Sequence, residues 1–262
     1  MPLLRNAART LLFAVAMGGA PYAKADLVAL YTFDNNGNLG ENTGSASVNW
    51  NSFSGVTQGA GLFGGGSGSF TAGTSSAWTN GFGAANTDFN QFSLSLHVNT
   101  TTTANWDDFI SIGATAGQFF LEKNSSNGVS LFNISSPGGD TPANSGTTGI
   151  AINDGQWHHL GITVGDGTLS FYADGALVSS TAYTGFGTIA GYQLASRLGD
   201  SARAITAELD DVAIYSTTLT SDQMNWLSSN AAIAVPVPEP GLAVLAVFGI
   251  AGGLISRRIH RR

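Results

Sequence analysis

The chain has no cysteine among its 262 residues. That removes disulfides, thiol nucleophiles, cysteine-bound zinc and thiol redox chemistry together. A domain of this length can bury enough surface to fold without covalent staples. Basic residues are almost as scarce. Lysine occurs only as Lys24 and Lys123, and seven of the ten basic residues lie near the two ends. Between Asp26 and Pro238 only Lys123, Arg197 and Arg203 remain, against sixteen acidic residues, for a net charge of −13. Such a surface repels nucleic acid and other anionic polymers unless cations intervene, so nucleic-acid partners are excluded. Glutamate is rare as well: the same span holds only Glu41, Glu122 and Glu208.

What is abundant is glycine, with 35 residues, together with serine, threonine, asparagine and scattered aromatics. That mixture suits short strands joined by tight turns. Between Gly59 and Gly83 it approaches low complexity, but Phe63, Phe70, Trp78 and Phe82 argue for order there.

Both ends carry targeting features. Arg5 and Arg9 precede an apolar core, Leu11 to Ala20, and a small-x-small site, Ala23-Lys24-Ala25. Residues 1–25 are therefore expected to be a secretory signal peptide and are set aside in reasoning about the fold. At the other end, Val237-Pro238-Glu239-Pro240 leads into an uncharged run from Gly241 to Ile255, then Arg257, Arg258, Arg261 and Arg262. The run is shorter than the roughly 20 residues that span a bilayer comfortably, although snorkelling arginines and local thinning extend its reach. The terminal arginines favour the cytoplasmic side. This tail, 236–262, resembles the PEP-CTERM sorting signal of Gram-negative bacteria. The resemblance implies export, a transient inner-membrane anchor through a C-terminal helix, and processing by an exosortase-type protease, with Pro238, Glu239, Pro240, Arg257 and Arg258 as the sorting motif. The protein would end at the cell surface or outside the cell; an uncleaved, permanent anchor is the alternative.

The intervening chain reads as strand after strand. Leu27 to Phe33 is a continuous apolar run, and Phe92, Leu94, Leu96 and Val98 alternate on one face. Phe109 to Ile112, Phe119 to Leu121 and Gly128 to Ile134 are further strands. From Asp154 to Val178, alternating segments are broken at Asp166-Gly167 and Asp174-Gly175, pairs that suit type I′ hairpin turns. The last strand is Ala207 to Tyr215. Thr220 and Gln223 form a capping box for one short helix, with Met224, Trp226 and Leu227 packed downward. Residues 230–235 read as a linker. The pattern predicts an all-β antiparallel sandwich.

Three segments resemble the laminin-G-like, concanavalin A-like jelly roll: Leu27 to Asp34; Asp154-Gly-Gln-Trp-His-His-Leu160 continuing to Gly175; and Glu208-Leu-Asp-Asp-Val-Ala-Ile-Tyr215 followed by Leu219 and the helix. Their order implies one domain over 26–229. The fold hosts lectins, adhesion modules, glycosidases and lyases, so it does not by itself name a function.

Three kinds of site follow. Glu208-x-Asp210 is similar to part of the catalytic motif of laminarinase-like hydrolases, but Val212, Ala213 and Ile214 stand where the second carboxylate belongs. A glycosidase needs two such groups, so a glycoside hydrolase or polysaccharide lyase is the alternative and not the first reading. The resemblance implies a structural Ca2+ between Asp34 and the closing strand, with Asp210 and Asp211 as ligands. By strict alternation Asp210 shares a face with Val212 and Ile214; an Arg–Asp pair or backbone capping at a loop would serve the same carboxylates. Adjacent His158 and His159 face opposite ways and cannot share one metal; His97, opposite the apolar face of its strand, is expected in solvent. For polysaccharide or cell-surface glycan, loop aromatics beside polar groups are the candidates: Trp106 with Asp107 and Asp108, Trp78, and Trp50, Tyr183 and Tyr192. Each could instead plug an end of the sandwich. The function expected is an exported, non-catalytic surface or matrix protein that binds carbohydrate or scaffolds a biofilm polysaccharide, with a self-associating coat protein as a further alternative.

Overall fold

Fifteen strands make up nearly all the regular structure of a computed structural model that describes residues 27–48, 50–79, 91–114, 117–135, 140–141, 148–183, 189, 191–232 and 235. They are β1 (Leu27–Tyr31), β2 (Ser52–Ser54), β3 (Thr57–Ala60), β4 (Gly66–Phe70), β5 (Ser76–Thr79), β6 (Phe92–Asn99), β7 (Asp108–Ala114) and β8 (Gly117–Lys123). There follow β9 (Val129–Ser135), β10 (Asp140–Thr141), β11 (Trp157–Gly165), β12 (Thr168–Ala173), β13 (Ala176–Ala182), β14 (Gly191–Leu194) and β15 (Ala207–Tyr215). One helix, α1 (Ser221–Leu227), closes the described chain.

Every pairing between these strands is antiparallel, in two sheets. The eight-stranded sheet runs β13-β12-β11-β6-β15-β4-β3, with β1 on the far half of β15; the seven-stranded sheet runs β10-β9-β8-β7-β14-β5-β2. Phe92, Leu94, Leu96 and Val98 face Leu160, Ile162 and Val164 across the β6–β11 register and turn into the core, as their alternation predicts. Ile110, Ile112, Phe119, Leu121, Tyr192 and Leu194 fill it from the other sheet. The meander is as expected: Asp166-Gly167 and Asp174-Gly175 all have positive φ, which the type I′ turn demands at both central positions. The strand expected at 207–215 forms at those bounds. Between Gly59 and Thr79 the chain forms the β3–β4 hairpin and then crosses to the other sheet as β5; glycine and serine content hid the periodicity of these strands.

Seven residues are too few for a helix to persist alone. What holds α1 is its capping box and a second apolar cluster: the Thr220 hydroxyl accepts from the Gln223 amide, and Gln223 Oε1 accepts from the Thr220 amide. Met224 and Leu227 then bury against Leu30, Tyr172, Ala213, Tyr215 and Leu219 on the outer face of the eight-stranded sheet. Burying such side chains is worth about 1.5–3 kcal/mol each.

The alternation fails on β15. Asp211 has a φ of 45°, and the register to β6 slips between Asp210 and Ala213. This bulge inserts one residue. Leu209, Val212 and Ile214 all reach the main core, while Ala213 and Tyr215 join the outer cluster. Asp210 therefore does not share a face with Val212 and Ile214. The expected signal peptide, residues 1–25, and the expected sorting segment, 236–262, lie outside the described residues. Among the described residues no helix is long and apolar enough to cross a membrane.

Candidate functional site

The expected site residues fall into two groups, one sealed and one open. The sealed group lies on the outer face of the eight-stranded sheet. Asp210 Oδ2 accepts from the Leu62 amide at 2.8 Å and its Oδ1 from the Asp211 amide at 2.8 Å; Asp211 Oδ2 accepts from the Ala232 amide at 3.1 Å. Asp34, exposed, accepts from the Gly66 amide at 2.7 Å. Burial, opposed by these amides, pushes Asp210 up to about 7 and Asp211 up to about 6, and Asp34 adds to both. The carboxylates cap loops. Among the described residues no group of three acidic or histidine side chains converges to hold a metal ion.

His97 sits directly across β6–β11 from His159, with ring centroids 5.2 Å apart. It is buried, not solvated, because Phe63 stacks edge-on against it at 5.1 Å and α1 lies over the same face. Burial lowers His97 to about 4; the Ser228 backbone pulls the other way without reaching hydrogen-bonding geometry. Burial, with His97 as a like-charged neighbour, lowers His159 to about 3, and its Nε2 meets Ser95 Oγ at 3.0 Å. His158 bridges Asp154 and Asp174 at 3.3 and 3.1 Å.

Most of the candidate aromatics are plugs. Trp50 donates to the Gly40 carbonyl at 2.9 Å and packs on Tyr31, Phe53 and Tyr192. Tyr192 is fully buried, its hydroxyl bonded to that of Tyr31, and Tyr183 is buried too. Trp78 is half-buried on β5 between Ser52 and Gln193, on the outer side of the seven-stranded sheet.

Trp106 differs from all of these. It is 45% exposed, and its φ of 71° is left-handed. A bulky residue there costs about 1–2 kcal/mol and persists only where its surroundings over-determine it. They do: the Trp106 amide donates to the Lys123 carbonyl at 2.7 Å, Lys123 donates back to the Asp107 carbonyl at 2.9 Å, and Arg203 Nη1 donates to the Trp106 carbonyl at 3.0 Å. The Lys123 ammonium, fully buried, holds Asn105 Oδ1 at 2.9 Å and Asn127 Oδ1 at 3.4 Å. Asn153 reaches Asn127 and the Thr102 carbonyl, each at 3.3 Å. Asp107 is half-buried beside these groups; burial raises its carboxyl while Arg203 and Lys123 draw it down. The result is an exposed indole rimmed by amide and carboxylate side chains on a fixed backbone.

Asp108, expected as a ligand-binding partner of Trp106, is wholly buried. Arg197 grips it through Nε at 2.8 Å and Nη2 at 3.3 Å, binds Glu122 at 2.7 Å, and lies 3.9 Å over the Phe120 ring. Buried charge needs such a partner, and the partner is 89 residues away in sequence. Lys123 and Arg203 were not singled out as site residues from the sequence; their rarity was the available signal.

Residues 71–225 match the family model described as the concanavalin A-like lectin/glucanases superfamily. The chain belongs to that superfamily. Among solved structures, domain 4 of AbnA, a GH43 extracellular arabinanase from Geobacillus stearothermophilus, in complex with arabinotriose, shares 23% identity at a TM-score of 0.59, over 78% of this chain and 99% of that one. The binding domain of botulinum neurotoxin DC in complex with SialylT aligns at 13% identity and a TM-score of 0.59, over 79% of this chain and 52% of its own. The binding domain of Paraclostridial Mosquitocidal Protein 1 aligns at 15% and 0.52, over 78% and 52%. The chain thus spans about half the length of these toxin domains, and at such identities the likeness is one of fold. A comparison with curated proteins finds no match.

Proposed function

We propose that this superfamily member is a non-catalytic carbohydrate-binding module whose ligand stacks on Trp106. One observation carries the reading: a strained, over-tethered backbone holds an indole that stays 45% exposed to solvent. An apolar sugar face fits a flat aromatic ring, and Asn105, Asp107, Asn127 and Asn153 offer donors and acceptors for hydroxyls around it. Support also comes from the arabinotriose-bound arabinanase domain, which has this fold. Val212 and Ala213 stand where the second carboxylate of the Glu-x-Asp motif belongs, which favours binding over hydrolysis. Binding is proposed to be independent of calcium, since Asp34, Asp210 and Asp211 are occupied as loop caps.

The proposal extends to location. The signal-peptide pattern at residues 1–25 and the PEP-CTERM-like tail support export, transient anchoring in the inner membrane, cleavage by an exosortase-type protease and a final place in extracellular matrix or biofilm. The test is a polysaccharide-binding panel with the wild type and Trp106→Ala, with and without EDTA. Binding that Trp106→Ala abolishes and EDTA leaves intact is expected. Binding that survives Trp106→Ala would move the site elsewhere, and loss in EDTA would restore a calcium role.

A further inference from the structure

The protein's few cations gather at one place. Lys123, Arg197 and Arg203 are the only basic residues between Asp26 and Pro238, and all three border the segment Trp106–Asp108. Elsewhere that span carries acidic groups alone. The three cations are not equivalent. Arg197 is buried and neutralised by Asp108 and Glu122. The Lys123 ammonium is buried among the oxygens of Asn105, Asn124 and Asn127. Arg203 is half-buried, and among the described residues no carboxylate lies within ion-pairing distance of it. One of its terminal nitrogens is tied to the Trp106 carbonyl at 3.0 Å; the rest of the guanidinium fork has no such bond among the described residues.

Arg203 is also held in place. It ends a single 3-10 turn, Ser201–Arg203, whose Asp200 cap accepts from the Ala202 amide at 3.0 Å, and its own amide donates to the Asp200 carbonyl at 3.2 Å. The next residue, Ala204, forms a parallel bridge with Asp108, which keeps Arg203 alongside Asp107 and Trp106. Asp107 feels the Arg203 charge but forms no ion pair with it, so a guanidinium with fork nitrogens to spare is fixed beside an exposed indole, and that pairing has a specific complement. The ring takes the face of a sugar, and the planar fork takes a carboxylate through parallel N–H···O bonds.

From this juxtaposition we infer that the Trp106 site selects acidic glycans, those whose sugars carry a carboxylate, with Arg203 as the residue that reads it. The inference rests on the carbohydrate-binding reading above and narrows it. The acidic remainder of the surface is not an obstacle. At physiological ionic strength charges beyond about 8 Å are largely screened, while a contacting guanidinium is not. Those carboxylates instead discourage a polyanion from settling anywhere but beside Arg203.

The test is calorimetry on the full chain with an oligogalacturonate and its methyl ester, the same sugar with its charge removed. It is run at 0.15 M salt, about the physiological value, with EDTA present so that no cation bridges carboxylates. The acid form should bind roughly tenfold or more tighter, the scale of one charge-assisted hydrogen bond. Arg203→Gln should bring the acid-to-ester affinity ratio to about one; because Arg203 also tethers the Trp106 carbonyl, that ratio and not either affinity alone is the readout. Arg203→Lys should restore only part of it, because an ammonium lacks the fork. Trp106→Ala should abolish both. Equal binding of acid and ester, or a preference that survives Arg203→Gln, overturns the inference while the stacking site stands. If neither uronate form binds but a neutral oligosaccharide does, in a Trp106-dependent way, the inference again fails alone. If no glycan of any charge binds, both readings fall.

Discussion

Two polar regions of this sandwich use the same kinds of residue in opposite ways. On the outer face of the eight-stranded sheet, His97, His159, Asp210 and Asp211 are buried beneath α1 and the loop that carries Phe63, and the two carboxylates are consumed by backbone amides. At Trp106 the strain and the hydrogen bonds run outward, and they end on an indole that water can reach. The first region spends polar groups to close the fold. The second spends fold stability to display an aromatic ring. Burial and tethering, not residue type, separate the sealed cluster from the exposed one.

Arg197 with Asp108 and Glu122 is a buried charge cluster next to the Trp106 segment, so it should show the largest effect. Arg197→Ala leaves Asp108 and Glu122 buried without a partner, which costs about 3–5 kcal/mol. At about 2–4 °C per kcal/mol for a domain of this size, thermal unfolding should move down by on the order of 10 °C. A shift near zero would mean that water already reaches this ion pair.

Asp210→Ala comes next. It strips the acceptor from the Leu62 and Asp211 amides and should cost about 1–3 kcal/mol in chemical denaturation. If glycan binding fell in parallel with a native melting profile, the sealed face would have a role in binding after all.

The third prediction concerns pH. His159 is held near 3 against an ordinary 6.5, so the unfolded chain binds the proton more readily. Its contribution to stability is complete above about pH 6.5 and is lost as pH falls toward 3. Asp210, raised to about 7, acts with the opposite sign: its contribution is present below the usual carboxylate pKa of 3.8 and lost as pH rises through 7. His159→Gln should therefore lose less stability than the wild type between pH 7 and pH 4, and Asp210→Asn less between pH 4 and pH 7.5. Parallel curves for variant and wild type would place these groups in water.

The smallest change is expected at Trp106. Glycine adopts a φ of 71° without strain, so Trp106→Gly should gain up to about 1 kcal/mol while glycan binding disappears. A loss of stability would make the indole a packing residue and break the contrast between the two regions.

Local patterns made much of the fold legible. The Asp-Gly pairs fixed two hairpin turns, Thr220 and Gln223 marked the start of α1, and period-two alternation gave β6 and β11. What remained hidden depended on distant chain. Asp108 looked like a loop residue because nothing near it announces Arg197. His97 looked solvated because the segments that cover it come from the Phe63 loop and from α1. The alternation on β15 misled at Asp210 because a single left-handed residue, Asp211, resets it. Trp106 was legible as a loop aromatic beside polar groups, but only three-dimensional burial separates it from Trp50.

The pairing of β1 with β15 fixes how the module is presented. Leu27 lies opposite Tyr215, and the Tyr215 hydroxyl reaches the Ala232 carbonyl, so the chain enters and leaves beside the far end of β15. Arg203 and the Trp106 loop lie just before the near end of the same strand, which at about 3.4 Å per residue puts them roughly 25 Å away. The amino-terminal end of the described domain and the Trp106 loop are thus set apart by about the length of β15.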